Sequence, residues 1–285
     1  MKKKIVVAVL ALVLGAMMAL TGCAKKEKVK IITTSADNKV ITLTEEEYAY
    51  GVDKNQPELK TKVDEILTRI MSDGTLEDII NIYFDDSRES ERVEVLEGTR
   101  DTANPDSQLT VATNSDFPPF EYKEGDKLTG IDIHIAKLIA DELELSLYID
   151  DMDFDSVVLA VENHTDDIAM AGLTITEDRA KVVNFSVPYY SSNQVLIVRE
   201  SNTDFDKCQT AEDIEAVLAS YKKNKKKAGF QNGTTGQFYV EDFANLKAKG
   251  YKAGALAVQD LYNGRIDMVI IDEMPAKAIV AGVNK

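Results

Sequence analysis

The chain has 285 residues, with 33 lysines and arginines against 49 aspartates and glutamates, a formal net charge of −16. So acidic a molecule repels phosphate backbones, which excludes nucleic acid as a partner. With two histidines, two cysteines and no cluster of the two types, neither an internal disulfide after processing nor a zinc centre is expected, and nothing calls for a metal or a cofactor.

In chain order the first segment reads as a label. Lys2, Lys3 and Lys4 precede the apolar run "IVVAVLALVLGAMMAL", Ile5 to Leu20, and "LTGC" ends at Cys23. A membrane-spanning helix needs about 20 apolar residues, so residues 1–22 read as an export signal in preference to a retained anchor. Removing the three lysines takes the charge from −16 to −19. "LTGC" resembles a bacterial lipobox, which implies that Cys23 is lipidated and that residues 23–26 begin a membrane tether.

"NQPELKTKVDEILTRIMSDG" predicts an amphipathic helix, with Leu59, Val63, Ile66, Leu67 and Ile70 at helical spacing, Pro57 in the first turn and Gly74 at the stop. "TLEDIINIYF" predicts a second, capped by Thr75. Residues 85–108, charged and ending in turn formers, read as a loop. Beyond it, "QLTVATNSD", "LSLYID", "DIAMAGLT", "SNQVLIVRE", "KKAGFQ" and "IDMVIID" read as strands. Between them "GIDIHIAKLIADELEL", "SVVLAVEN", "TAEDIEAVLASY", "QFYVEDFANLKAKG" and "EMPAKAIVAG" read as helices. This alternation predicts an α/β fold with largely parallel sheets. His134, His164 and Cys208 read as solvent-facing.

In such sheets the loops after strand ends carry the ligand. Three polar loops occupy that position: "TNSDFPPF", "GLTITEDR" and "QNGTTG". Alone, Arg179 reads as a surface ion pair with Glu177 or Asp178. In context, Gly172 allows close approach to backbone, Thr174 offers an N–H and a hydroxyl, and Arg179 offers a fork that matches a carboxylate. The N–H groups of Thr234 and Thr235 open a helix, where anions are favoured, but no P-loop lysine follows, so a small carboxylate fits better than a nucleotide. Asp272 reads either as a helix cap or as an ammonium partner. Phe117 and Phe154 are placed to flank a side chain, while Phe120 and Phe185 read as core.

"VATNSDFPPFEY", "MDFDSVVLAV", "AMAGLTITEDRAKVVNFSVPYY", "FQNGTTG" and "IIDEMPAKA" together resemble the amino-acid-binding family of bacterial solute-binding proteins, the extracytoplasmic receptors of ABC importers. The resemblance implies two α/β lobes joined by two crossing strands, with the ligand between them (the type II periplasmic-binding-protein-like fold). It implies that Arg179 and the N–H groups of Thr174 and Thr235 hold an α-carboxylate. Asp272, the Thr174 hydroxyl and the Gly172 carbonyl would receive the α-ammonium. Phe117 and Phe154 would flank the side chain, whose far end meets Asn114 and Gln231. Relatives that bind cationic side chains usually carry an acid where Asn114 stands, which favours a polar uncharged amino acid, with glutamine as a guess. The partners expected are that amino acid, an ABC permease and, through the lipid, a membrane; the protein is expected to be a monomer.

"ITLTEEEYAYGVDKNQPELKTKVDEILTRIMSDGTLEDIINIYF" resembles the family's C-terminal segment, yet it precedes the family's opening at Leu109. A circular permutation accounts for this order, with 85–108 joining the old termini; the rival reading, a fusion of one receptor's tail to a truncated second receptor, would leave "VKIITT" without a sheet to join. The permutation predicts one lobe from residues 42–192 and another from 27–41 plus 193–285. The competing functions are an enzyme on the same fold, of the cyclohexadienyl dehydratase kind, using Asp116, Asp153, Asp155 or Glu273, and an amino-acid sensor. A general acid or base needs a positioned partner, and none of these acids has a histidine nearby in sequence, so no enzyme is expected.

Overall fold

Val29–Ile31, the first strand (β1), finds its partner at the far side of the sequence, pairing antiparallel with residues 197–199. The computed structural model describes residues 26–285; residues 1–22, expected to be an export signal, and Cys23 lie outside the described residues. After β1 come β2 (Glu46–Tyr48), β3 (Gly51–Asp53), α1 (Pro57–Ser72) and α2 (Thr75–Phe84). Val63, Ile66, Leu67 and Ile70 bury one stripe of α1, each contributing about 1.5–3 kcal/mol of apolar burial. Thr75, expected as the cap of α2, is its first helical residue instead. Gly74, at φ +86°, holds the cap position with no side-chain bond, and Asp73 Oδ1 accepts from the Thr75 N–H at 2.9 Å.

Residues 85–108 are more than a loop. They hold a 3-10 turn and β4 (Glu94–Val95), which pairs antiparallel with residues 128 and 129. There follow β5 (Gln108–Thr113), β6 (Asp116–Phe117), β7 (Glu121–Glu124), β8 (Lys127–Thr129), α3 (Ile131–Glu142), β9 (Ser146–Asp151), α4 (Phe154–Glu162), β10 (Ile168–Ala169), α5 (Glu177–Val182) and β11 (Val183–Phe185). β12 (Tyr190–Ser192) leads directly into β13 (Gln194–Arg199). The chain closes with α6 (Ala211–Ser220), β14 (Lys227–Gln231), α7 (Thr235–Glu241), β15 (Lys247–Tyr251), α8 (Gly254–Tyr262), β16 (Met268–Asp272) and α9 (Glu273–Val283). The helix expected through "QFYVEDFANLKAKG" stops at Glu241, and its last residues, from Lys247, belong to edge strand β15.

Two five-stranded sheets result, in the orders β11-β3-β10-β5-β9 and β1-β13-β16-β14-β15. Each is mixed. β10, β5 and β9 run parallel, as do β16, β14 and β15, while the remaining edges are antiparallel. Both faces of the second sheet are covered, as the strand period of two requires. Val195, Ile197, Val269 and Ile271 face α8 and α9 with Val258, Leu261 and Ile279. The alternate residues Leu196, Val198, Met268 and Ile270 face Phe205, Cys208, Ile214 and Leu218. Cys208 is therefore buried, not solvent-facing: it sits on the turn that closes under α6. His134 is also half-buried against Tyr83, whereas the exposed His164 side chain meets Asp53 at 2.8 Å.

β2 and β12 pair antiparallel as a two-stranded connection between the sheets. Leu43 N–H donates to the Gln194 carbonyl at 2.9 Å, and Ile32 N–H to that of Leu196 at 2.9 Å. The last helix returns to the first strand: Asn284 Oδ1 accepts from Val29 N–H at 3.0 Å, and its Nδ2 donates to the Val29 carbonyl at 2.7 Å.

Candidate binding site between the two lobes

The ends of β5, β10, β14 and β16 point their loops at one junction between the sheets. From the first lobe comes Arg179, at the third position of α5, where its N–H donates to the capping hydroxyl of Thr176 at 3.2 Å. Arg179 is 9% exposed, which removes the surface ion-pair reading; Asp178 pairs with Lys181 at 2.5 Å instead. Nη1 donates to the Thr174 carbonyl at 2.7 Å and Nη2 crosses to the Gly233 carbonyl at 2.9 Å. The Phe154 ring lies under it, 5.5 Å from the guanidinium carbon. Burial lowers the Arg179 pKa to about 10, against the opposing pull of Glu46 and Asp272.

Asp272 ends β16 of the second lobe. It occupies the cap position of α9 without a side-chain capping bond, and instead accepts from the Tyr48 hydroxyl at 2.5 Å. Ser192 donates in turn to the Tyr48 oxygen at 3.0 Å. Burial first, and the neighbouring Glu46 charge second, raise the Asp272 carboxyl to about 7. A buried acid that titrates near neutrality marks a site where charge is wanted but not matched by protein alone.

Gly172 takes φ +51°, and a Cβ there would stand 2.8 Å from a Phe117 ring carbon. Its N–H donates to Asp132 Oδ2 at 2.8 Å. Asp132 Oδ1 accepts from Tyr189 at 2.6 Å and Tyr50 at 3.1 Å, while burial raises its pKa to about 6. Asn114 and Gln231 meet across the lobes, with Gln231 Nε2 donating to Asn114 Oδ1 at 2.8 Å. Gln231 Oε1 is buried with no hydrogen-bond partner among the described residues. The Thr235 hydroxyl donates to Glu46 at 2.9 Å. Thr234 turns elsewhere: its hydroxyl caps α7 and donates to the Gln231 carbonyl at 2.8 Å. Phe117 is buried against Phe120, their centroids 6.1 Å apart.

Glu46 has no counterpart among the sequence candidates, and Tyr48 and Gln194 also went unread. The triplet Glu45–Glu47 looks like a solvated face. In the strand Glu46 and Tyr48 are buried while Glu47 between them is exposed, a choice set by the pairing of β2 with β12. Two of the four acids considered for catalysis are held in other contacts. Asp153 pairs with Lys252 at 2.6 Å, and Glu273 accepts from Asn193 at 2.7 Å and pairs with Lys277 at 2.5 Å. A small cavity of about 120 Å³ lies beside the junction, lined by Asp153, Phe154, Asp155, Asn232 and Lys252. A larger hollow of about 520 Å³, lined in part by Pro57, Leu59, Asp106 and Leu143, contains none of the site residues.

Residues 109–236 match the family model of the bacterial extracellular solute-binding proteins, family 3. Among solved structures, a mutant of arginine-bound ArgBP from T. maritima superposes with a TM-score of 0.56 at 34% identity, over 65% of this chain and 82% of that one. The chain belongs to this family. Among curated solute-binding proteins, the arginine-binding extracellular protein ArtP of Bacillus subtilis (strain 168) is 28% identical over 60% of this chain and 63% of its own length. The match thus spans less than two thirds of that relative. An ancestral amino acid-binding protein, a precursor of cyclohexadienyl dehydratase, matches with a TM-score of 0.55 at 31% identity, over 65% of this chain and 78% of that one. The fold is the mixed α/β, two-lobe, periplasmic-binding-protein-like architecture, and a family-3 solute-binding protein works outside the cytoplasm.

Proposed function

We propose that this solute-binding protein captures one polar amino acid between its lobes and delivers it to an ABC permease. The observation that carries the reading is a pair of buried opposite charges, Arg179 from one lobe and Asp272 from the other, gathered around the same junction. Arg179 and the N–H groups of Thr174 and Thr235 hold the carboxylate; Asp272, the Thr174 hydroxyl and the Gly172 carbonyl take the ammonium. Both interactions are charge-assisted and screened from water, where they are strongest. Phe154 and Phe117 bound the side chain, and the Asn114–Gln231 amide pair meets its far end. The unpartnered acceptor Gln231 Oε1 favours a side chain rich in N–H donors. Glutamine meets that requirement without charge, and the arginine bound by the named relatives meets it with charge. Isothermal titration against the twenty amino acids tests the reading: one or a few should bind, and silence for all removes the amino-acid assignment.

The lipobox resemblance supports a lipoprotein held at the membrane by Cys23. The order of the sequence supports a circular permutation, with lobes formed by 42–192 and by 27–41 plus 193–285. The pairing of β1 with β13, and the bonds of Asn284 to Val29, both agree with "VKIITT" continuing the C-terminal helix of an unpermuted ancestor.

A further inference from the structure

Glu46 stands on β2, one of the two connecting strands, and strand alternation turns it inward beside Tyr48. The residue is 9% exposed. Oε2 accepts from the Thr174 hydroxyl at 2.7 Å and from the Thr235 hydroxyl at 2.9 Å, one threonine from each lobe. Oε1 accepts from the Thr44 hydroxyl at 3.0 Å. A carboxylate has no proton to give and a hydroxyl has only one. Both threonine protons are therefore spent on Glu46. The Thr235 oxygen already accepts from Gln194 Nε2 at 3.1 Å. What remains on the threonine oxygens is acceptor capacity, suited to N–H donors.

We propose that Glu46 is a positioning residue that fixes the hydroxyls of Thr174 and Thr235 as acceptors and, with Asp272, makes one end of the cleft selective for an ammonium group. This rests on the amino-acid reading above. Replacing Glu46 by glutamine preserves its shape and removes its charge: a carbonyl oxygen in the place of Oε2 still accepts from both threonines, so a loss confined to the amino acid reads the charge that holds their oxygens toward an ammonium group.

The test uses titration of the mature wild-type chain and Glu46→Gln with L-arginine, L-glutamine and their α-hydroxy acid counterparts, in which a hydroxyl replaces the ammonium. Should another of the twenty bind more tightly, that amino acid and its hydroxy acid are used. Glu46→Gln should weaken the amino acid by about tenfold or more and leave the hydroxy acid within about twofold, as the loss of one buried charge close to an ammonium group predicts. Glu46→Asp, which keeps the charge, should regain part of the preference for the amino acid and serves as the folded comparison if the glutamine variant is unstable. Equal losses for both ligands, or tighter binding of the amino acid to Glu46→Gln, would overturn the proposal and make Glu46 a structural strut or a competitor for the carboxylate donors. If the wild type ignores every amino acid, it is the underlying receptor reading that fails.

Discussion

Arg179 Nη2 donates to the Gly233 carbonyl at 2.9 Å, so a guanidinium carried by one lobe is bonded to the backbone of the other. The same side chain is thus both a charge for a ligand and a clasp between lobes. Gly233 stands in the loop that opens α7, and a Cβ there would come within 3.0 Å of Asp155. The lobes therefore meet at backbone distance where the site lies, and their approach and the site geometry are coupled.

Arg179→Lys should weaken amino-acid binding by about 100-fold, because the lysine ammonium cannot reproduce two parallel bonds to a carboxylate; two lost charge-assisted bonds at roughly 1.5 kcal/mol each give that factor. Titration calorimetry reads the loss. The thermal unfolding temperature of the ligand-free variant should fall slightly, since lysine keeps the buried charge but gives up the paired bonds to the Thr174 and Gly233 carbonyls.

Asp272 gives the site a pH dependence whose sign follows from its raised pKa. A ligand ammonium favours the ionised carboxylate, so affinity should rise as pH climbs through about 7 and fall by up to tenfold per unit below it. The groups in contact with this carboxyl or coupled to it electrostatically are Tyr48, Gln194, Glu46 and Arg179, and Asp272→Asn should flatten the profile. For folding the sign reverses. The folded-state value of about 7 exceeds the ordinary 3.8, so the stabilisation is full below 3.8 and disappears as pH rises through 7. Ligand-free Asp272→Asn should accordingly melt at a higher temperature than the wild type at pH 8.

Gly172→Ala meets two obstacles, φ +51° and a Phe117 ring carbon 2.8 Å from the new Cβ. Strain of this kind amounts to about 1–3 kcal/mol. Denaturant unfolding should register that loss, and ligand affinity should fall with it, because the Gly172 carbonyl moves.

Rejoining Asn284 to the chain before Val29 by a short linker and opening new termini between residues 97 and 105 should yield a folded protein with unchanged ligand affinity. Exposed loops accept new termini, and the Asn284–Val29 bonds bring the segments to be joined together. A protein that folds only in the present order would contradict the permutation.

Much of this architecture is legible in the sequence, and the failures have physical causes. Helical spacing marks α1 because one stripe of it is buried, and the loops "GLTITEDR" and "QNGTTG" announce themselves through glycine and threonine. β15 escapes because its "KAKGY" is almost wholly exposed, and an edge strand guarded by lysines carries no apolar alternation. Cys208 looks solvated beside Lys207, yet a tertiary turn folds it under α6, which no local pattern records. Glu46 is hidden for the opposite reason. Its neighbours are acids, and only the pairing of β2 with β12 decides which of three glutamates turns inward.

The most direct measurement is a cycle of chemical and protein deletions at the carboxylate. The tightest-binding amino acid and its α-carboxamide, which lacks the negative charge, are titrated against the wild type and Arg179→Lys. The wild type should prefer the acid by about 100-fold, and the variant should lose most of that preference. A variant that discriminates the two ligands as well as the wild type does would mean that Arg179 does not hold the carboxylate.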